Sequence, residues 1–255
     1  MPENVYISGN PFPIYFFFYL LSFPCCVIFS ACFYCRKYHV NNMIGIFITM
    51  LCLNVAYLVL IIGNYIISNI ALHGIHYVRI LGLFPIFFAV VAKLSKLNVN
   101  RALDILAPTT TIGNMISHLG CIFPGCCYGY PIENYPESLH WMGIYSNALK
   151  TYTFPVQIIE CLLYGLIAVI IIIWAHHKHY QTEGKAFPIY LILFGVFRFC
   201  MEFLRNNEKI AGPLSEFSFW CIGWIIMGSG WLLIKYILKK KKLHKQGVTY
   251  NGQTI

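Results

Sequence analysis

A chain of 255 residues with 58% hydrophobic and only 11% charged side chains, and a mean hydropathy of +0.66, is too apolar for a soluble globular domain, in which about 25% of residues are charged. It reads as an integral membrane protein. The net charge of +9 is then a matter of membrane topology and contact with anionic lipid, not of nucleic-acid binding.

Windows of about 20 apolar residues mark membrane-crossing helices, and in chain order they fall at residues 12–35, 43–70, 79–92, 105–126, 155–175, 187–204 and 215–234. The expected fold is an all-α membrane protein with seven transmembrane helices. An odd number of crossings puts the two ends in opposite compartments. With the N-terminus outside, the inner segments carry Arg36, Lys37, Lys93, Lys96, Arg101, Lys178, Lys185, Lys235, the run Lys239 to Lys242, and Lys245. Their acids are only Asp104 and Glu183, a bias that fits positive-inside loops. The C-terminus is therefore expected to be cytoplasmic, with residues 236–255 a basic tail against anionic head groups. Residues 1–255 read as one integral membrane domain. The first apolar run is as long as a full span and is preceded by Glu3 where basic residues would mark a cleavable leader, so it is expected to stay attached. No internal repeat is visible, which argues against a transporter built from duplicated halves.

With that topology, polar residues collect near the outer ends of four helices. His73 and His76 close the second; Asn114, His118, Cys121, Cys126 and Cys127 end the fourth; Gln157 and Glu160 open the fifth; Arg198, Glu202 and Arg205 end the sixth. The last three are the sharpest signal. Charges at the edge of the hydrocarbon are costly unless paired or working, and this spacing puts them on one helix face. The inner halves of the fifth and sixth helices are nearly all Ile, Leu, Val and Phe. A channel or carrier needs polar groups through the whole membrane thickness, whereas a one-sided cluster suits chemistry on a lipid head group. Any one of these residues alone also reads as an ordinary interfacial helix cap; the convergence of four helices is what points to a site.

The stretch from Gly113 to Gly129 is rich in glycine, and Gly120, Gly125 and Gly129 suit a helix that ends in a tight loop around a ligand. Here the chain resembles a known family. Asp104-Ile-Leu-Ala-Pro108, Gly113, His118-x-Gly120 and Gly125-x-x-Tyr128-Gly129 are similar to the signature helix and loop of the bacterial prolipoprotein diacylglyceryl transferases. Leu72-His73-Gly74 resembles that family's His-Gly-Gly motif, and Pro155-x-Gln157-x-x-Glu160 its His-Pro-Ser-Gln-Leu-Tyr-Glu motif. Arg198-Phe-x-x-Glu202-Phe-x-Arg205 is similar to its Arg-Phe-x-x-Glu-Phe-x-Arg motif, and Phe12-Pro-Ile-Tyr15 to the start of its first helix. The blocks keep the family's order over residues 12–235. Departures sit among them: His118 stands where the family has its signature arginine, Cys121 where it has asparagine and Cys126 where it has glutamate. Asn54 replaces a usual arginine, Phe17 a usual tyrosine, Phe154 the histidine before Pro155, and Ile75 the second glycine of His-Gly-Gly.

The resemblance implies a multi-pass protein of the bacterial inner (plasma) membrane that moves a diacylglyceryl group from phosphatidylglycerol to the cysteine thiol of a prolipoprotein, releasing glycerol phosphate. Its partners are then phosphatidylglycerol, a prolipoprotein or other thiol acceptor, and the membrane, with no nucleic acid and no cofactor. Such chemistry needs a phosphate clamp, for which arginine forks are suited, and a proton acceptor near neutral pH, for which imidazole is suited. Arg198 and Arg205 are the expected phosphate ligands and Glu202 the carboxylate that orients them. His73 and His118 are the expected bases, with His118 alternatively a phosphate contact if charged. Tyr15, Asn114, Gly120, Cys121, Gly125, Gly129, Gln157 and Glu160 are expected to shape the substrate site.

The Cys-x-x-x-x-Cys-Cys spacing of Cys121, Cys126 and Cys127 matches no zinc pattern, so no metal is expected. A structural or oxidised pair and a participating thiol at Cys126 both stay open. The other eight cysteines lie in or beside apolar spans and read as small packing side chains. The altered positions 118, 121 and 126 keep two alternatives in view: a sister lipid transferase with a different acceptor and a participating cysteine, and a non-catalytic membrane lipid-binding factor.

Overall fold

A computed structural model describes residues 4–7, 10–39, 90, 93, 94, 98–123, 125, 127–147 and 149–245. It is mostly helical. A short antiparallel hairpin, β1 (Asn4–Ile7) with β2 (Asn10–Pro13), leads into α1 (Ile14–Phe29), which continues through a π-helical stretch, Ser30–Cys35. Then follow α2 (Val99–Gly120), a loop with two 3₁₀ turns and the hairpin β3 (Ile144–Ser146) with β4 (Thr151–Thr153), and α3 (Val156–His177). The chain ends in α4 (Ala186–Glu202), the hairpin β5 (Lys209–Ala211) with β6 (Leu214–Ser215), and α5 (Glu216–Lys245). These five α-helices fall on the expected spans 12–35, 105–126, 155–175, 187–204 and 215–234. The span at 43–70, and all of 79–92 except residue 90, lie outside the described residues.

Three boundaries differ from expectation by more than two residues. Helix α2 begins at Val99 rather than 105 because Asn98 caps it, its Oδ1 accepting from the N–H groups of Asn100 at 3.0 Å and Arg101 at 3.3 Å. It stops at Gly120, ahead of Gly125 at φ +65° and Cys127 at φ +56°, backbone conformations no helix accepts. Helix α5 runs on to Lys245, past the expected 234, because the Leu- and Lys-rich sequence there favours helix.

Helix α2 is the central element, packing on α1, α3 and α4. Its middle carries Pro108 and three threonines, and the threonine hydroxyls donate back to their own helix: Thr109 to the Ile105 carbonyl at 2.7 Å, Thr111 to that of Ala107 at 2.6 Å. Polar groups there are satisfied without water, as apolar surroundings demand. From α1, Ser30 Oγ meets Thr109 Oγ1 at 2.9 Å and the Cys26 thiol donates to the Thr109 carbonyl at 3.3 Å. The main core joins Leu103, Leu106, Ile167, Ile171, Phe187, Leu191, Phe194 and Trp224 from α2, α3, α4 and α5. Val156–His177 and Glu216–Lys242 are long and apolar enough to cross a membrane. Their outer faces expose large apolar side chains such as Leu162, Ile226 and Leu233, a surface suited to lipid.

Candidate active site

The first turns of α3, the last turns of α2 and α4, and the segment after α4 meet in a buried ion cluster. Glu160, one turn into α3, is its hub. Its carboxylate accepts both Nε of Arg205, at 3.1 Å, and Nη2 of the same guanidinium. Arg198 Nη1 lies 3.4 Å from Glu160 Oε1 and also pairs with Glu202 Oε1. His118 Nε2 lies 3.3 Å from Glu160 Oε2. All but the histidine are buried, with Glu160 at 2%, Glu202 at 1%, Arg198 at 7% and Arg205 at 6% exposure. Two carboxylates and two guanidiniums at that depth are sustained by mutual pairing and bidentate geometry, and removing one member strands its partner.

Sequence order brings these side chains together through local structure. Arg198 and Glu202 share one face of α4 a turn apart. Arg205 lies past the helix end and is set by strand-like pairing: Gly129 bridges Arg205, the Tyr130 N–H donates to the Leu204 carbonyl at 3.3 Å, and the Asn206 N–H to that of Tyr128 at 3.4 Å. Tyr130 in turn accepts from the Phe154 N–H at 2.9 Å, just before α3. The loop after α2 thus stitches the start of α3 to the end of α4. Gly129 is required there, because a Cβ would come within 2.9 Å of the carbonyl oxygens of both Leu204 and Phe154. Burial works against the Arg205 charge, and Glu160 beside it more than reverses this, so the Arg205 pKa is raised; Cys127 is also near enough to act on it.

His118 is fixed from its own helix, Nδ1 lying 3.0 Å from the Asn114 carbonyl, and its ring packs on that of Tyr164 with centroids 4.9 Å apart. Glu202 has neutral support as well, from Asn207 Nδ2 at 2.9 Å and from the Ser215 hydroxyl. Lys209 Nζ donates to the Glu202 carbonyl at 3.0 Å, and the Arg198 guanidinium stacks 5.3 Å from the centre of the Phe217 ring. Toward the middle of α3 and α4, Leu163, Ile167, Phe194, Phe197 and Met201 line a narrow apolar cleft that ends at Glu160, Tyr164 and Arg198.

Of the residues singled out from sequence, His118, Glu160, Arg198, Glu202 and Arg205 meet in this cluster, with Asn114 and Gly129 positioning two of them. Gln157 is fully buried in the first turn of α3, before Glu160. Gly120 ends α2, and the buried thiol of Cys121 donates to the Ser117 carbonyl at 3.9 Å. Gly125 packs on the β3–β4 hairpin, its carbonyl accepting from Ser146 Oγ at 3.0 Å. His73, Cys126 and the side chain of Tyr15 lie outside the described residues. Tyr164, Asn207, Lys209, Ser215 and Phe217 were not anticipated. Tyr164 alone left a trace, as a polar residue one turn after Glu160 in an otherwise apolar run.

The family model described as prolipoprotein diacylglyceryl transferase matches residues 16–234. Among curated proteins, the chain is 27% identical over 117 residues to the phosphatidylglycerol--prolipoprotein diacylglyceryl transferase of Clostridium tetani, covering 46% of each chain. It is 27% identical over 158 residues to transferase 2 of that name from Clostridium perfringens, covering 60% of this chain and 57% of the relative. Against the transferase of Methylococcus capsulatus it is 30% identical over 125 residues, covering 49% of this chain and 43% of the relative. The chain spans about half the length of the curated relatives it matches.

Proposed function

Because the chain belongs to the prolipoprotein diacylglyceryl transferase family, whose model covers residues 16–234, we propose that it is a membrane enzyme that transfers a diacylglyceryl group from phosphatidylglycerol to the cysteine thiol of a prolipoprotein. The observation that carries this reading is the convergence of Arg198 and Arg205 with Glu160 and Glu202 at the head of an apolar cleft. In the reaction the thiol sulfur attacks the glyceryl carbon that bears the phosphate. A carbon–sulfur bond forms, the carbon–oxygen bond to phosphate breaks, and glycerol phosphate leaves with the electron pair. The thiol proton passes to a base.

Arg198 and Arg205 neutralise the phosphate as it takes up charge, the task for which guanidinium forks are suited. Glu202 and Glu160 hold the forks in register. His73 takes the thiol proton, and Asn114, Cys121, Gln157 and Tyr15 shape the space around the lipid. Gly120, Gly125 and Gly129 form the turn that closes over it. The protein is one integral membrane domain over residues 1–255, crossing the bacterial inner (plasma) membrane seven times. Its N-terminus lies outside, and the basic tail of residues 236–255 is cytoplasmic. The positive-inside distribution of lysine and arginine supports that orientation.

The test is to incubate purified protein with labelled phosphatidylglycerol and a peptide carrying the acceptor cysteine. A thioether-linked lipopeptide with release of glycerol phosphate is the expected result. Lipid turnover without lipopeptide points to a sister transferase with another acceptor, and lipid binding without turnover to a non-catalytic factor; either result overturns the reading.

A further inference from the structure

Tyr38, Tyr164 and Tyr190 are buried, and their hydroxyls differ in what they meet. A buried phenol normally finds a hydrogen-bond partner. Tyr38 meets Thr182 Oγ1 at 2.9 Å, and Tyr190 is hydrogen-bonded to Thr110. The Tyr164 hydroxyl has no hydrogen-bond partner among the described residues, although the residue is only 5% exposed. A buried donor without an acceptor destabilises a fold, and the place of this one gives a reason for keeping it.

Tyr164 follows Glu160 by one turn on the same face of α3. That turn sets its Cα ~6 Å deeper along the axis, and both side chains lean back toward the start of the helix. The ring is held on two sides, by His118 with centroids 4.9 Å apart and by Phe194 at 5.7 Å. It lines the cleft between α3 and α4 where Glu160 and Arg198 give way to Leu163, Phe197 and Met201. The neighbouring carboxylate does not claim the hydroxyl. Glu160 Oε1 accepts from Arg205 Nε and faces Arg198 Nη1; Oε2 accepts from Arg205 Nη2 and faces His118 Nε2. Those contacts take up the roughly four acceptor sites that a carboxylate has.

A glycerophospholipid changes character over a similar distance. Its phosphate is joined through glycerol to two acyl esters a few bonds away, and the hydrocarbon begins at their carbonyls. An ester carbonyl only accepts hydrogen bonds, and it is the last polar group before the chains. With the phosphate at Arg198 and Arg205, such a carbonyl would lie about one turn deeper, beside a donor that has no acceptor of its own. Water is the poorer occupant, since the lining beyond Glu160 and Arg198 is apolar and leaves it short of partners.

We propose that Tyr164 is a specificity-determining residue whose hydroxyl donates to an acyl ester carbonyl of the bound lipid, so that the protein selects diacyl over dialkyl phospholipid. This rests on the reading that phosphatidylglycerol is the substrate. The carbonyl is held and not attacked, and the acyl esters pass intact into the product with the diacylglyceryl group. A dialkyl ether lipid keeps the phosphate, the glycerol and the chains and lacks only the carbonyls. It leaves the buried donor unpaired, which is the asymmetry that lets a polar group reject an analogue.

The experiment measures KM for diacyl phosphatidylglycerol and for its dialkyl ether analogue in the wild type and in Tyr164→Phe, which keeps the ring and its stacking and removes one oxygen. The wild type should favour the diacyl lipid about fivefold, the scale of one neutral hydrogen bond. In Tyr164→Phe the KM for the diacyl lipid should rise to that for the ether, and the preference should vanish. No preference in the wild type, or a preference that survives in Tyr164→Phe, overturns the proposal. A purely structural hydroxyl would instead lower the unfolding midpoint in detergent and change KM equally for both lipids, and that result overturns it too.

Two readouts do not depend on turnover. Equilibrium binding in mixed micelles should show the same preference for the diacyl lipid in the wild type and none in Tyr164→Phe. Infrared spectra of bound lipid labelled with carbon-13 at the ester carbonyls should contain a hydrogen-bonded carbonyl band that Tyr164→Phe removes; identical spectra sink the assignment. Ester-selective binding that Tyr164→Phe abolishes, with no lipopeptide product, leaves the role of Tyr164 standing and removes the transferase reading alone. Failure of the wild type to bind either lipid removes both.

Discussion

Helices α2 and α4 bury carboxylates at both of their ends, and the two ends are built on different principles. Near the start of α2, Asp104 is held by neutral donors: the N–H groups of Gly184 at 2.8 Å and Ala186 at 2.9 Å, and the Thr182 hydroxyl. Thr182 also meets the Tyr38 hydroxyl at 2.9 Å, and Lys235 of α5 donates to Asn100 at 2.9 Å and to the Glu183 carbonyl at 2.6 Å. This is a clasp, in which a carboxylate on α2 caps the first turn of α4, with α5 and the turn at Tyr38 beyond α1 joined to the same segment. At the far end the carboxylates are held by guanidiniums and an imidazole on rotatable side chains. The amides of the clasp are already filled by a carboxylate fixed on α2, whereas ionic forks on side chains can change partners while the helices stay in place.

The contrast is tested most severely by Arg198→Ala. It should lower turnover by about 10²–10³-fold, the scale of losing a charged transition-state donor, as read by transfer of labelled diacylglyceryl to the acceptor peptide. Wild-type turnover in that variant moves the chemistry away from this end of the bundle. Gly129→Ala comes next. Its Cβ cannot fit between the Leu204 and Phe154 carbonyls, so the strand pairing that sets Arg205 must shift. A displacement near 1 Å costs about 10²-fold in well-positioned chemistry; unchanged kinetics mean that Arg205 does not need that pairing.

Asp104→Ala probes the opposite end and should show the reverse signature. Two backbone N–H groups and a hydroxyl lose their acceptor, at a cost of about 1–3 kcal/mol, read as a lower unfolding midpoint in detergent. The kcat/KM of the folded fraction should hold. A variant as stable as the wild type denies the clasp any mechanical role; one that unfolds normally but loses turnover erases the distinction between the two ends.

Much of the ionic end is legible in the sequence, and the clasp is not. Arg198, Glu202 and Arg205 stand out because charges are rare in an apolar helix, and helical spacing alone puts Arg198 and Glu202 on one face. What spacing cannot show is that Arg205 turns from its own stripe to Glu160 on α3, since that depends on pairing between residues 128–130 and 204–206. Asp104 reads as one of two acids among inner cations, because its partners are mostly backbone N–H groups and carry no side-chain signature. Ser215 and Asn207 are invisible for a similar reason: in sequence they are ordinary turn residues, and only the β5–β6 hairpin returns Ser215 to Glu202. The start of α2 was missed because Asn98 caps a turn of helix that is not itself hydrophobic.

Ser215 gives the smallest effect and the finest discrimination between the two ends. Its hydroxyl donates to Glu202 Oε2, the oxygen that Asn207 also serves, while Glu202 Oε1 faces Arg198. In Ser215→Ala the carboxylate keeps its ionic partner and one amide donor, and loses a single hydrogen bond from a neutral donor to a charged acceptor, worth about 1.5–3 kcal/mol. If Glu202 serves to aim Arg198, this slack should appear as a several-fold fall in kcat with KM for the lipid little changed, and Ser215→Thr, which retains a hydroxyl, should restore it. A change in the unfolding midpoint with kcat intact would instead make the Ser215 bond a clasp like that of Asp104. Because one hydroxyl is removed and every charge is kept, the split between kcat and stability decides whether neutral support at this end serves the arginine or only the fold.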